Sequence, residues 1–221
     1  MKKKLLVWVD AQNDFISRGG KLSFDNGAGD PNLVVRMYAF LNKLDENTFD
    51  KVVVTYDTHS ESTYYDTDEA KNFPIHCVKG TKGHELVVDE ALLDKAGREI
   101  FRLEKDTHDM FADNENTMKL PDGFLKGVPD VYVAGVASDI CNRCAMEGFL
   151  ERGHRVFVIE DLTKGIFKET NEVVNEPLYE KYVRNNQLNV ISREEFFDKL
   201  DNEKEQTDNN FNNIKRNFER E

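Results

Sequence analysis

The stretch Val131–Asp161, VYVAGVASDICNRCAMEGFLERGHRVFVIED, constrains the fold more than any other part of the chain. Val131–Val136 is a short apolar run rich in β-branched residues and reads as a buried strand. Ser138 and Asp139 are good N-cap residues. From Cys141 onward, Cys141, Cys144, Ala145, Phe149 and Leu150 recur at helical spacing, and Gly153 ends the helix. Arg155–Ile159 is a second buried strand. The unit is strand, turn, helix and strand, with a cysteine opening the helix. A thiol at a helix N-terminus is expected to have a lowered pKa and to favour the thiolate. Taken alone, Cys141 also reads as a small buried hydrophobe.

The same alternation recurs along the chain. Lys4–Val9 is an apolar run ending on Asp10. Ser17–Asp30 carries four glycines and reads as a loop. Pro31 opens a helix over Asn32–Leu44, with Leu33, Val34, Met37, Phe40, Leu41 and Leu44 on one face. Lys51–Tyr56 is a strand that delivers Asp57 and His59. Ser60–Gly83 is long, polar and irregular; such loops are often functional. Leu86–Leu93 is expected to be helical, and Glu99–Leu103 is a strand delivering Glu104 and Lys105. A helix over Asn171–Arg184 is interrupted near Pro177, and Leu188–Ile191 is a last strand. Ser192 caps a helix over Arg193–Leu200, with Glu195 at the capping-box position. Strands alternating with helices predict an α/β fold: three layers, α-β-α, around a mostly parallel sheet.

The 221 residues are enough for one such domain, expected over 1–200. The remainder, 201–221, is a charged, Asn-rich tail. Phe211, Ile214 and Phe218 give it a helical apolar stripe, so a docked helix and a frayed tail both stand as readings. Net charge is −12 with no basic stripe, which argues against nucleic acid or an anionic membrane as partner. The apolar run before Asp10 is too short for a signal peptide or membrane span. Three cysteines do not make a disulfide framework, so a reducing cytoplasm is the expected compartment. A homo-oligomer stays open.

In parallel sheets, ligands sit outside the carboxyl ends of the strands. Asp10, Asp57 with His59, Lys105 and the turn before Cys141 all fall there. Four reactive groups at four strand ends point to one site. Asp57, His59 and the later His76 offer a carboxylate and two imidazoles, a donor set suited to a divalent transition metal.

The chain resembles the isochorismatase-like cysteine hydrolases and, among them, the nicotinamidases and pyrazinamidases. The resemblance runs from Leu5 to about Ile191 and rests on VDAQNDF at Val9–Phe15, EKDTHDMF at Glu104–Phe111 and GVASDIC at Gly135–Cys141. It implies a triad of Asp10 as proton carrier, Lys105 as its partner and Cys141 as nucleophile. It also implies an oxyanion site from the N–H groups of Ala137 and Cys141, next to a non-proline cis peptide at Val136–Ala137. Phe15 and Phe73 match positions of aromatics against the substrate ring, although either could serve as ordinary core. The metal set becomes Asp57, His59, His76 and, as the fourth protein ligand, Glu69. Zinc is the foremost candidate, with iron or manganese as alternatives. The implied reaction is hydrolysis of nicotinamide to nicotinate and ammonia through a cysteine thioester, in NAD salvage. Other amide or isochorismate-type hydrolases of the superfamily are the alternative. Cys141-Asn142-Arg143-Cys144 also leaves a Cys-x-x-Cys redox reading, which gives Asp10, Lys105 and the metal set no role.

Overall fold

The computed structural model describes residues 3–218, with side chains through residue 206. Six strands form one sheet: β1 (Lys4–Val9), β2 (Phe49–Asp57), β3 (Gly97–Lys105), β4 (Asp130–Val136), β5 (Arg155–Lys164) and β6 (Leu188–Ile191). Their order is β3-β2-β1-β4-β5-β6, and every pairing is parallel.

The period-two pattern of the strands feeds two cores. Leu6 and Trp8 of β1 join Val52, Val54 and Tyr132 on one face, covered by Leu33, Met37 and Phe40 of the Pro31–Leu41 helix and Phe196 and Leu200 near the C-terminus. Leu5, Val7 and Val9 point the other way, onto Ala145, Met146 and Phe149 of the Cys141–Glu151 helix. The three-layer α-β-α architecture follows from burying both faces. Strand order reverses between β1 and β4, so a crevice opens beyond their carboxyl ends.

The Pro31–Leu41 helix starts where Asp30 Oδ1 accepts from Leu33 N at 2.8 Å. The expected Ser192/Glu195 capping box forms in both directions. The helix it opens runs from Arg193 to Phe218, past the expected tail boundary. The side chains of Phe211, Ile214 and Phe218 lie outside the described residues. Pro177 does interrupt the next-to-last helical stretch, leaving Thr170–Val174 and Glu180–Arg184 joined through a short 3-10 turn.

Two local expectations fail. Leu86–Leu93 is not one helix. Val87 N donates to Ala11 O at 2.8 Å and Gln12 pairs with Leu86, so backbone pairing holds this stretch extended. Helix begins only at Glu90, after the Asp89 carboxylate caps Ala91 N. Ser138 and Asp139 do not cap the Cys141 helix either; Ile140 holds that place, with no side-chain cap. Both polar side chains are taken up by the loop after β5. Ser138 Oγ donates to Lys168 O, and the Asp139 carboxylate accepts from the N–H groups of Ile166, Phe167 and Lys168 at 2.7–3.0 Å. Three donors outcompete the single bond available at a helix end. A Cβ on Gly165 would lie 1.9 Å from Lys168 O, so the loop closes this tightly only with glycine there.

Candidate active site

Parallel register brings the strand ends level, with Asp57 opposite Lys105 and Val9 opposite Gly135. The residue after β1 is Asp10, with φ +43° and no exposure to solvent. Thr55 of β2 donates its hydroxyl to Asp10 Oδ1 at 2.6 Å. Lys105 Nζ lies 2.7 Å from Asp10 Oδ2 and donates to Cys141 Sγ at 3.6 Å. The three side chains expected as a triad thus meet in one buried cluster. Burial works against the Lys105 ammonium, but Asp10, Cys141 and Asp57 hold its pKa well above the usual lysine value.

Cys141 differs from the expectation. Burial pushes its thiol well above the ordinary cysteine value; Lys105 pulls down, while Asp10 and Asp57 push up. A helix start does not make a thiolate in a site this dry, because desolvation disfavours the charged form. Burial thus favours the thiol form of Cys141, which lies in the same buried cluster as the Asp10 carboxylate.

The turn before it carries a cis Val136–Ala137 peptide, as the resemblance implied. Ser138 N donates to Lys164 O, and Ile140 N and Asn142 N both donate to Ala137 O. Among the described residues, the N–H groups of Ala137 and Cys141 make no comparable bond. With the Asp139 N–H they are the turn's N–H groups without a backbone acceptor, and they lie where an oxyanion site was expected.

Asp57, His59, Glu69 and His76 form the second cluster. One ligand-type atom from each lies within 4.8 Å of all the others. His59 Nε2 and His76 Nε2 approach Asp57 Oδ2 at 3.1 and 2.8 Å, and each lies 3.5 Å from a Glu69 oxygen. Even so, among the described residues both Asp57 oxygens and His59 Nε2 are buried without a hydrogen-bond partner. His76 Nδ1 donates to Pro74 O, leaving the Nε2 lone pair facing the cluster. Burial raises the Glu69 carboxyl, with Asp57 adding to the effect. Burial also tends to raise Asp57, but its imidazole neighbours hold it below the usual range. Two carboxylates and two inward-facing imidazoles with orphaned atoms fit a divalent cation.

Supporting residues escaped the sequence reading. Gln12 accepts from Asp57 N and donates to Asp57 O and His84 O, which fixes the end of β2. Tyr64 is buried; its hydroxyl donates to Phe73 O and Pro74 O, and its ring stands edge-on to His59 and His76. Gln12 lies inside the VDAQNDF motif, which was its only signal; Thr55 and Tyr64 had none. His84 and His154 are half-buried. His84 is hydrogen-bonded to Thr58 and stacked on Tyr56, and His154 is anchored on Val128 O.

A small, narrow pocket joins the two clusters, lined by Asp57, Glu69 and His76 and by Ala137 and Cys141. Phe15, Phe73, Ile140 and Ile166 wall it. Phe15 packs edge-on to His76 at 5.3 Å. His108 stands at the rim, 3.7 Å from Glu69 Oε1. Cys144 and Cys77 are outside this lining. Burial pushes Cys144 up to about 11 and Cys77 well above its usual value.

A parallel α/β sheet with a cysteine at the start of one helix and an Asp–Lys pair beside it defines the class of protein. The Isochorismatase domain matches residues 4–184, and the chain belongs to that family. It is similar to the uncharacterized isochorismatase family protein PncA of Bacillus subtilis, at 30% identity over 161 residues, covering 71% of this chain and 83% of that protein. The nicotinamidase of Saccharomyces cerevisiae is 27% identical over an alignment of 226 residues, covering 86% of this chain and 100% of the yeast protein. Among solved structures, the pyrazinamidase of Pyrococcus horikoshii in complex with zinc superposes with a TM-score of 0.63 at 27% identity, covering 86% of this chain and 99% of that one.

Proposed function

We propose that this chain is an amidohydrolase that converts nicotinamide to nicotinate and ammonia, with Cys141 as nucleophile. The observation that carries the reading is the shared pocket: the metal-type cluster and Cys141 face each other across a small, apolar-walled space. The names of the yeast and Pyrococcus relatives supply the substrate class, and NAD salvage is consistent with it.

The chemistry follows from the cluster. The Cys141 thiol adds to the carboxamide carbon; a C–S bond forms and the S–H proton passes to Asp10. Because the thiol is not ionised at rest, proton removal and attack go together. Lys105 holds one Asp10 oxygen in place, and Thr55 holds the other. The N–H groups of Ala137 and Cys141 take the charge developing on the carbonyl oxygen. Collapse breaks the C–N bond, and the proton held on Asp10 leaves with ammonia. Asp10 then takes a proton from water as it attacks the thioester, and acid and free thiol separate. Phe15 and Phe73 flank the ring.

Asp57, His59, Glu69 and His76 would hold the divalent metal, zinc foremost, with iron or manganese as alternatives. When bound, the metal supplies a Lewis-acidic point that suits a ring nitrogen. A Cys-x-x-Cys redox module would need a stabilised thiolate, and burial raises both Cys141 and Cys144. The three unpaired cysteines fit a reducing cytoplasm. Ammonia release from nicotinamide, pyrazinamide and benzamide tests the reading. The first two should be turned over and benzamide, which lacks the ring nitrogen, far less. Equal turnover of all three would remove the metal from recognition, and turnover of none by metal-loaded protein would overturn the assignment.

A further inference from the structure

Asn142 directly follows the nucleophile, yet its side chain turns back beneath the turn. Its Nδ2 donates to Gly135 O at 2.8 Å and its backbone N–H donates to Ala137 O at 3.0 Å. The residue is 3% exposed, and its Oδ1 is buried without a partner among the described residues. A buried amide oxygen left unpaired is costly, and an apolar side chain of similar shape would avoid that cost. Gly135 is itself unusual. It has φ +111°, a Cβ there would lie 2.0 Å from Val9 O, and the register between β4 and β5 shifts between Val133 and Gly135. The sheet ladder is therefore irregular where the chain leaves β4, and Asn142 supplies the anchor there.

We propose that Asn142 is a positioning residue for the oxyanion site: by holding Gly135 O and Ala137 O it fixes the intervening backbone that presents the Ala137 N–H. This rests on the reading of Cys141 as the nucleophile. The two bonds grip the chain on both sides of Val136. They use only carbonyl groups and leave the Ala137 N–H free. Removing one oxyanion donor outright costs roughly 100- to 1000-fold in kcat. Loosening the backbone that carries one should cost less, about 10- to 100-fold.

The test uses metal-loaded wild type, Asn142→Leu, which keeps the volume and loses the donor, and Asn142→Asp, which keeps the shape and replaces the donor by an acceptor. For each, kcat and KM for nicotinamide are measured, together with inhibition by pyridine-3-carbaldehyde and by nicotinate. The aldehyde adds the Cys141 thiol across its C=O, so a C–S bond forms and the former carbonyl oxygen occupies the oxyanion site; nicotinate forms no bond. Both folded variants should lose about 10- to 100-fold in kcat with KM changed less than about threefold. Aldehyde affinity should fall in step with kcat while nicotinate affinity stays constant. Asn142→Asp carries the test if Asn142→Leu does not fold. Wild-type kcat in either folded variant, or equal losses of aldehyde and nicotinate binding, would overturn the inference. Absence of turnover in the wild type would instead strike the hydrolase reading.

Discussion

Replacing Lys105 by Met keeps the length of the side chain and removes its charge. In the native cluster Nζ lies 2.7 Å from Asp10 Oδ2, and the two residues are 1% and 0% exposed. The variant strands the Asp10 carboxylate with the neutral Thr55 hydroxyl and Cys141 thiol as its side-chain hydrogen-bond partners. Removing one member of a buried ion pair costs about 3–5 kcal/mol, because the other charge is left uncompensated. At roughly 2–4 °C per kcal/mol for a chain of this size, Tm should fall by about 6–20 °C. Adding Asp10→Asn to the same variant removes the stranded charge and should recover most of the lost stability, while turnover should stay strongly impaired in both. The sign with pH follows from the raised pKa of Lys105. The stabilisation is fully present below the unfolded lysine value and is lost as pH rises through the higher folded one. The gap between wild type and Lys105→Met should therefore hold across neutral pH and narrow only above pH about 10.5. Thermal and denaturant unfolding of wild type, the two single variants and the double variant would measure this. A single-variant loss below about 1 kcal/mol, or a double variant losing the sum of both singles, would refute the pairing.

Purified protein should hold about one equivalent of a divalent metal, reduced in His76→Ala and weakened in Glu69→Ala; full occupancy in Glu69→Ala would remove Glu69 from the ligand set. Because burial raises Cys141, the ultraviolet absorbance difference between wild type and Cys141→Ala should show no thiolate between pH about 6 and 9; a midpoint at or below the ordinary value of about 8.5 would contradict the resting thiol. Cys144→Ser should keep its turnover, since Cys144 lies outside the pocket lining; a loss like that of Cys141→Ala would revive the redox reading.

Much of this arrangement is legible in the chain because strand ends advertise themselves. Lys4–Val9 is apolar to the residue before Asp10, and the observed strand has those same limits. β2 and β3 extend beyond their apolar cores through Phe49–Asp57 and Gly97–Lys105, since parallel pairing also recruits polar residues at the ends. What stays hidden depends on partners distant in sequence. Thr55 reads as an ordinary strand residue until Asp10 folds beside it, 45 positions away. Tyr64 sits in a stretch that reads as a polar loop, and only its bonds to Phe73 O and Pro74 O show that it braces the segment leading to His76. Asp139 has the composition of a helix cap and is claimed by a loop 27–29 residues later. The raised Cys141 pKa is likewise invisible in sequence, because burial sets it.

The central claim is that Cys141 carries the acyl group. Acid quenching of metal-loaded protein during turnover of nicotinamide, followed by digestion and mass spectrometry, measures it directly. A nicotinoyl group should appear on the peptide containing Cys141, with both the adduct and ammonia release absent in Cys141→Ala. Ammonia release without that adduct, and undiminished in Cys141→Ala, would contradict it.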